Sequence, residues 1–467
     1  MNVDNRVAIT AAGGIPPLVK LICVGTTLQT TKALGALVNL STNTDNKVAI
    51  AAAGTIRPLV LLLKYGDNIK KEKATLLTSS LALNDDNKVA VAAAGAIPPL
   101  VRLVRDGSAA QKEHAATALW ILSIGNANKV AIQVAGGIQP LMELVRTGND
   151  AQQVKAMRAL SHLSVASASK VIIAEARGIP LLVMLVCYGS DEIQEIASTI
   201  LWNLSANADI QDAIVDANAV PVLIWLLNTG NMAQKVKAAG VLSNLLMNSV
   251  HKEVVEAMGS LSGWEGGRTC IASLMRCLER VPKKKQRDIL RILAKFTELD
   301  ECREALLLVG VEPRKTAISF VQYSKWADEL QEHAIIVLRN LALSADGRLA
   351  IKRARGIRVL LRLAGGWVLA PSVQREAAAA VRNLSISTDI AAIIVSIGGV
   401  PPLVKLMQIG HVRQKENALG ALKNLSLNVK GRKEIVAARC IRSLSVLCFK
   451  GPRSKKNSQQ RLWQTLH

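Results

Sequence analysis

At 467 residues the chain is longer than one hydrophobic core normally serves, so it is read as several domains or an elongated array. Half of its residues are apolar while only 3% are aromatic, which excludes an aromatic core and favours small aliphatic side chains between closely stacked helices. The formal net charge of +23 points to acidic partners.

The seven cysteines lie scattered from Cys23 to Cys448 without metal-ligand spacing, and are expected to be reduced core thiols. Cys270 and Cys277 fall on one helical face and are read the same way. Uncharged runs such as "GIPLLVMLVCYGS" are too short to span a bilayer. No secretory signal opens the sequence, residue 2 is Asn2, and the end reads "QTLH", so neither myristoylation nor prenylation is expected. A cytoplasmic location follows as the expectation, with the nucleus or a membrane periphery as alternatives.

From the N-terminus onward one phrase recurs. "AGGIPPLV", "AGTIRPLV", "AGAIPPLV", "AGGIQPLM" and "ARGIPLLV" place their first aliphatic residue at Ile15, Ile56, Ile97, Ile138 and Ile179, and Val220 follows, each 41 residues after the last. Weaker copies stand at Ile271, Val311, Ile357, Val400 and Ile441. A fixed period of this size marks a helical solenoid. In each unit an Asp or Asn, as at Asp45 or Asp86, is expected to cap a short first helix that a Gly closes. A Pro then suits the first turn of a second helix, which ends at Gly25, Gly66, Gly107, Gly148, Gly189, Gly230, Gly410 and Gly451. A longer third helix follows, as from Gln111, with apolar residues at three- and four-residue spacing. Such units cannot bury their faces alone and must stack.

The phrase "NKVAIxxAGxIPPLVxL" followed by "ALxNLS" resembles the armadillo repeat over nearly the whole chain. The resemblance implies an all-α, right-handed armadillo-repeat superhelix of about ten three-helix repeats. Regular repeats are expected over 1–258, a Gly-rich surface loop with Trp264 at 259–268, divergent basic repeats over 269–449, and a basic disordered tail at 450–467.

Armadillo-like arrays use the groove lined by their third helices. Twenty-four residues after most anchors one column reads Asn39, Ser80, Ile121, His162, Asn203, Asn244 and Lys295, and continues as Asn340, Asn383 and Asn424. An Asn amide can pair with both the N–H and C=O of an extended peptide, so the six asparagines are the expected peptide-binding ladder, interrupted at Ser80, Ile121 and His162. The alternative is that these amides satisfy helix-end carbonyls within their own repeat. Four residues before the rung, Gly35, Thr199, Gly240, Ile336, Ala379 and Gly420 stand where importin-alpha carries Trp, so a receptor for basic import peptides is disfavoured. Trp120 and Trp202 lie one residue before the rung, as packing or contact residues.

Residues 1–250 carry a net +4 and residues 251–467 a net +19. Beside the rung the second half places Arg339, Arg382 and Lys423, and Lys295 takes a rung itself. This resembles the basic groove of beta-catenin-type proteins and implies extended acidic partner segments bound in a salt-sensitive way. "VPKKKQR" (281–287) superficially resembles a nuclear-import signal but falls at the start of a third helix. The six His residues stand singly, and no nucleophile elbow, phosphate loop or zinc-protease motif occurs, so no enzyme activity, cofactor or metal is expected.

The reading is therefore a non-enzymatic scaffold or adaptor, closest in style to vacuolar armadillo adaptor proteins and their plant and protist relatives. Nucleic acid or an acidic membrane surface, bound through the basic half, is the alternative. The scarcity of aromatics counts against base stacking.

Overall fold

A computed structural model describes residues 3–247, 274–275, 278, 283–298, 300–308, 328–366 and 370–438. The 259–268 segment with Trp264, and the 450–467 tail, lie outside the described residues, as do Cys270, Cys277, Cys440 and Cys448. Every regular element among the described residues is α-helical. The helices pack into two compact units, Met1–Val222 and Leu223–His467, each built from stacked three-helix repeats.

One repeat explains the others. Thr44–Ala52, Ile56–Tyr65 and Asn68–Leu81 are its first, second and third helices. The first two meet at 83°, and equivalent pairs in five other repeats meet at 79–89°. The corner needs a left-handed residue, supplied by Gly54 at φ +82°. Arg177, Asn218 and Arg355 take the same conformation at φ 55–59° in later repeats. The glycine ending the second helix has a different cause. At Gly107 the backbone is extended, but an added Cβ would sit 2.4 Å from the Leu103 carbonyl oxygen.

The N-caps fall two residues earlier than expected. Asn43 and Asn84, not Asp45 and Asp86, accept the first free N–H groups, because the chain turns immediately after the preceding third helix. The Asn at the third helical position does something else, since Asn46 and Asn128 donate to the carbonyls of Leu40 and Leu122, both at 3.1 Å. The expectation of core thiols also needs correction. Cys23 is exposed and Cys187 half-buried, both lying near the end of a second helix. Leucines fill the core instead, with Leu34, Leu77 and Leu119 fully buried in the first unit and Leu360, Leu384 and Leu422 in the second.

Successive third helices are joined by polar side chains near one end or the other, and in places at both. Near the N-terminus a buried Gln closes a capping box and reaches back to the helix before. Gln111, Gln152 and Gln414 each donate at 2.8 Å to the carbonyls of Asn68, Ala109 and Pro371. Near the C-terminus the rung residue does the equivalent. Asn340 donates to the Ala294 carbonyl at 3.0 Å and to Thr297 Oγ1 at 3.1 Å. Asn203 and Asn424 make the same pair of bonds to Ser161 and Ser164, and to Arg382 and Ser385. Asn383 donates to the Arg339 carbonyl. The partners therefore belong to the preceding repeat, not to the rung's own. Ser80 and His162 continue the pattern rather than interrupt it, since Ser80 bonds Ser41 and His162 Nδ1 lies 3.0 Å from Ser123 Oγ. Ile121, a buried apolar rung, and Lys295, which pairs with Glu298 three residues on, depart from the pattern.

Two outcomes follow from these bonds. Asn340 is 2% exposed, so Asn340→Ala leaves a helix-end carbonyl without its donor and should cost roughly 1–3 kcal/mol in a urea titration. Burial, with Lys129 and Arg158 nearby, holds the His162 imidazole below its ordinary 6.5. The unfolded chain then binds more protons there than the folded one, so stability falls as pH drops below that value. His162→Asn keeps a donor for Ser123 without a titrating ring. Its melting temperature should fall less between pH 7.5 and 5.5 than that of the unaltered protein, and equal falls would refute the assignment.

Candidate functional site: the third-helix faces

Each third helix buries one side and leaves a stripe at three- and four-residue spacing. On Pro371–Leu384 that stripe is Ser372, Arg375, Ala379, Arg382 and Asn383. On Val412–Leu425 it includes Arg413, Glu416, Gly420, Lys423 and Asn424. The helix spacing of roughly 8–10 Å against a strand rise of about 3.4 Å per residue matches about three peptide residues per rung.

The asparagines offer less than a full amide. Their nitrogens are engaged with the preceding repeat at 203, 340, 383 and 424, which leaves the Oδ1 acceptor as the group able to meet a ligand N–H. At Asn340 that acceptor is already taken by Arg339, at 2.9 and 3.1 Å, and at Asn244 by Arg291 at 3.0 Å. Asn39 is exposed.

The expected basic residues divide into two groups. Arg339 pairs with Glu376, a carboxylate only 5% exposed, and Arg375 reaches the same carboxylate at 2.8 Å and Glu332 at 3.4 Å. Lys295 pairs with Glu298 at 3.3 Å. Arg382 and Lys423 have no ion-pair partner among the described residues. The Arg382 side chain lies across Gly420 of the next third helix, where a Cβ would come within 2.8 Å of its Cδ and Nε. Gly420, one of the positions without Trp, is therefore the space that lets Arg382 extend along the face.

In the first unit Trp120 already holds cations on its ring. The Arg158 guanidinium lies 4.7 Å and the Lys155 ammonium 5.4 Å from the ring centre, and Arg158 is bonded to Glu192 at 2.6 Å. Ser161, His162, Glu195, Ile196 and Thr199 complete a recess of about 330 Å³ there. Trp202 is half-buried. Glu376 carries no periodic sequence signal that would have marked it, and Gly420 was visible only as a position without Trp. Among the described residues no group of three or more His, Cys, Asp or Glu could hold a metal, and no single helix is long and apolar enough to cross a membrane.

The Armadillo/beta-catenin-like repeat family matches residues 2–42, 84–124, 207–247, 344–386 and 387–427. Among solved structures, an engineered protein shares 27% identity over 88% of this chain and 98% of its own, with a TM-score of 0.71. A chain from the work on a conserved phosphorylation switch controlling the interaction between cadherin and beta-catenin is similar in fold, at 17% identity, 97% and 90% coverage and a TM-score of 0.80. None of the curated proteins matches the sequence. The chain carries armadillo repeats at these five positions, and the same three-helix unit recurs at 44–81, 126–163 and 167–205 between the first three of them.

Proposed function

We propose that the protein is a non-enzymatic scaffold that holds extended acidic protein segments against its third helices. The observation that carries this reading is the pair Arg382 and Lys423. They occupy equivalent positions on successive third helices, each beside an Asn, and neither has an ion-pair partner among the described residues. A strand laid across these helices would place a carboxylate at each cation while the Asn383 and Asn424 acceptors take its backbone N–H groups. Arg339 and Lys295 contribute less to this reading, since Glu376 and Glu298 already neutralise them. A protein acting in the cytoplasm fits this function.

The test is fluorescence anisotropy with extended Glu/Asp-rich peptides and a duplex DNA control, at about 50 and about 200 mM salt. Arg382→Glu combined with Lys423→Glu should weaken peptide binding at least about tenfold at the lower salt. Glu376→Gln should act oppositely. It frees Arg339 and Arg375 for the ligand, raising peptide affinity severalfold while lowering the melting temperature. If the charge reversal leaves peptide binding unchanged, the acidic-segment reading fails. Equal loss of duplex and peptide, without preference among peptides, would instead mark a phosphate-binding surface.

A further inference from the structure

A second cationic site lies in the Leu223–His467 unit away from the third helices. Residues 347–374 hold six Lys and Arg and no Asp or Glu. Two of the six are committed: Lys352 pairs with Asp389 at 2.7 Å, and Arg348 donates to the carbonyls of Ala342 and Leu343 at the end of a third helix. Arg355, Arg358 and Arg362 are exposed and have no ion-pair partner among the described residues. Arg358 and Arg362, four residues apart, lie along one side of the second helix Gly356–Gly365, and Arg355 precedes its first turn in the left-handed conformation.

Beside this stripe is a recess of about 330 Å³ between Gly356–Gly365 and the next second helix, Val400–Ile409. Arg358 and Arg362 flank it, and Leu361, Ile397 and Pro402 supply its apolar surface. Two glycines shape it. Gly365 allows the helices to approach, since a Cβ there would lie 2.7 Å from Pro402 Cβ. Gly398, at φ +77°, has nothing within 4 Å of where a Cβ would stand, so the mouth is uncovered. Arg177 and Arg355 place full side chains at the corresponding corner of other repeats.

We infer that this recess is a second docking site for an acidic protein segment carrying one bulky apolar residue between its carboxylates. The apolar side chain enters the recess while the flanking carboxylates meet Arg358 and Arg362. Charge complementarity selects an anion, and the apolar recess selects the kind. A nucleic-acid backbone would use the arginines and leave Leu361, Ile397 and Pro402 unused. A bilayer surface would meet the exposed stripe without filling a space of side-chain size.

Two peptides test it, each with two acidic residues on either side of a central Phe or a central Ala. Duplex DNA and vesicles of equal parts phosphatidylserine and phosphatidylcholine serve as controls. The measurements are made on the full chain and on the Arg382→Glu/Lys423→Glu background, so that failure of the third-helix reading is separable from failure of this one. The Phe peptide should bind at least about tenfold more tightly than the Ala peptide on both backgrounds. Arg358→Glu with Arg362→Glu should remove that binding, with the melting temperature confirming an intact fold. Gly398→Arg occupies the mouth in a conformation Arg already adopts twice in this chain. It should weaken the Phe peptide while leaving DNA binding equal or stronger, since it adds a positive charge. Equal affinity for Phe and Ala peptides would overturn the proposal. So would a Phe advantage that vanishes on the third-helix background, or one that survives both Arg358→Glu/Arg362→Glu and Gly398→Arg. Loss of vesicle or DNA binding in the arginine variant, without Phe discrimination, would reassign the stripe to phosphate.

Discussion

The hydrogen bond from one third helix back to the carbonyl end of the helix before it is the contact on which most of the described repeats depend. The last carbonyls of a helix have no partner within it, and stacking another repeat against them removes water. A side chain from the next repeat must then supply the donor. Asn203, Asn340, Asn383 and Asn424 do so with an amide, Ser80 with a hydroxyl and His162 with a ring nitrogen paired to Ser123. Gln111, Gln152 and Gln414 make the matching connection at the other end. Where both contacts are present, as between Ala109–Leu122 and Asp150–Leu163 and between Pro371–Leu384 and Val412–Leu425, they restrict both sliding and rotation, which an aliphatic core of leucine and alanine restricts only weakly.

This division of labour shapes what the exposed face can do. An amide whose nitrogen serves the neighbouring repeat keeps its oxygen for a ligand at Asn383 and Asn424, whereas Arg339 and Arg291 occupy the oxygens of Asn340 and Asn244. Donors must then come from elsewhere, and Arg382 and Lys423 stand beside Asn383 and Asn424. The buried Glu376 limits how many cations remain available, because burial of a carboxylate demands partners and it takes both Arg339 and Arg375. The large positive charge of the second half is thus partly consumed inside the fold. Among the described cations without an ion-pair partner, Arg382 and Lys423 lie on third helices and Arg358 and Arg362 on a second helix.

Much of the repeat could be read directly. The 41-residue interval, the Gly–Pro corner and the glycine ending each second helix are backbone requirements, and backbone requirements recur at fixed positions. Even there the cap slipped by two residues, to Asn43 and Asn84, since "NxDN" and "NDDN" each offer more than one capping side chain. The column of asparagines was legible as a column, but not its use. Ser80 and His162 looked like gaps only because their common function, donating to or pairing with a residue 39 positions earlier, has no chemical identity in the side chain itself.

By itself, then, the sequence determined the all-helical repeat, its length, its corners and the uneven distribution of charge, because all of these follow from local conformation and counting. Only the tertiary structure decided which polar groups are occupied. Whether Arg339 or Arg382 is available depends on Glu376 and Gly420, 37 and 38 residues further along the chain and brought alongside by stacking. The recess between Gly356–Gly365 and Val400–Ile409 has the same origin, arising where two repeats meet and Gly398 happens to leave the mouth uncovered. Such pairings belong to surfaces that exist only after packing, and no periodicity along the chain encodes them.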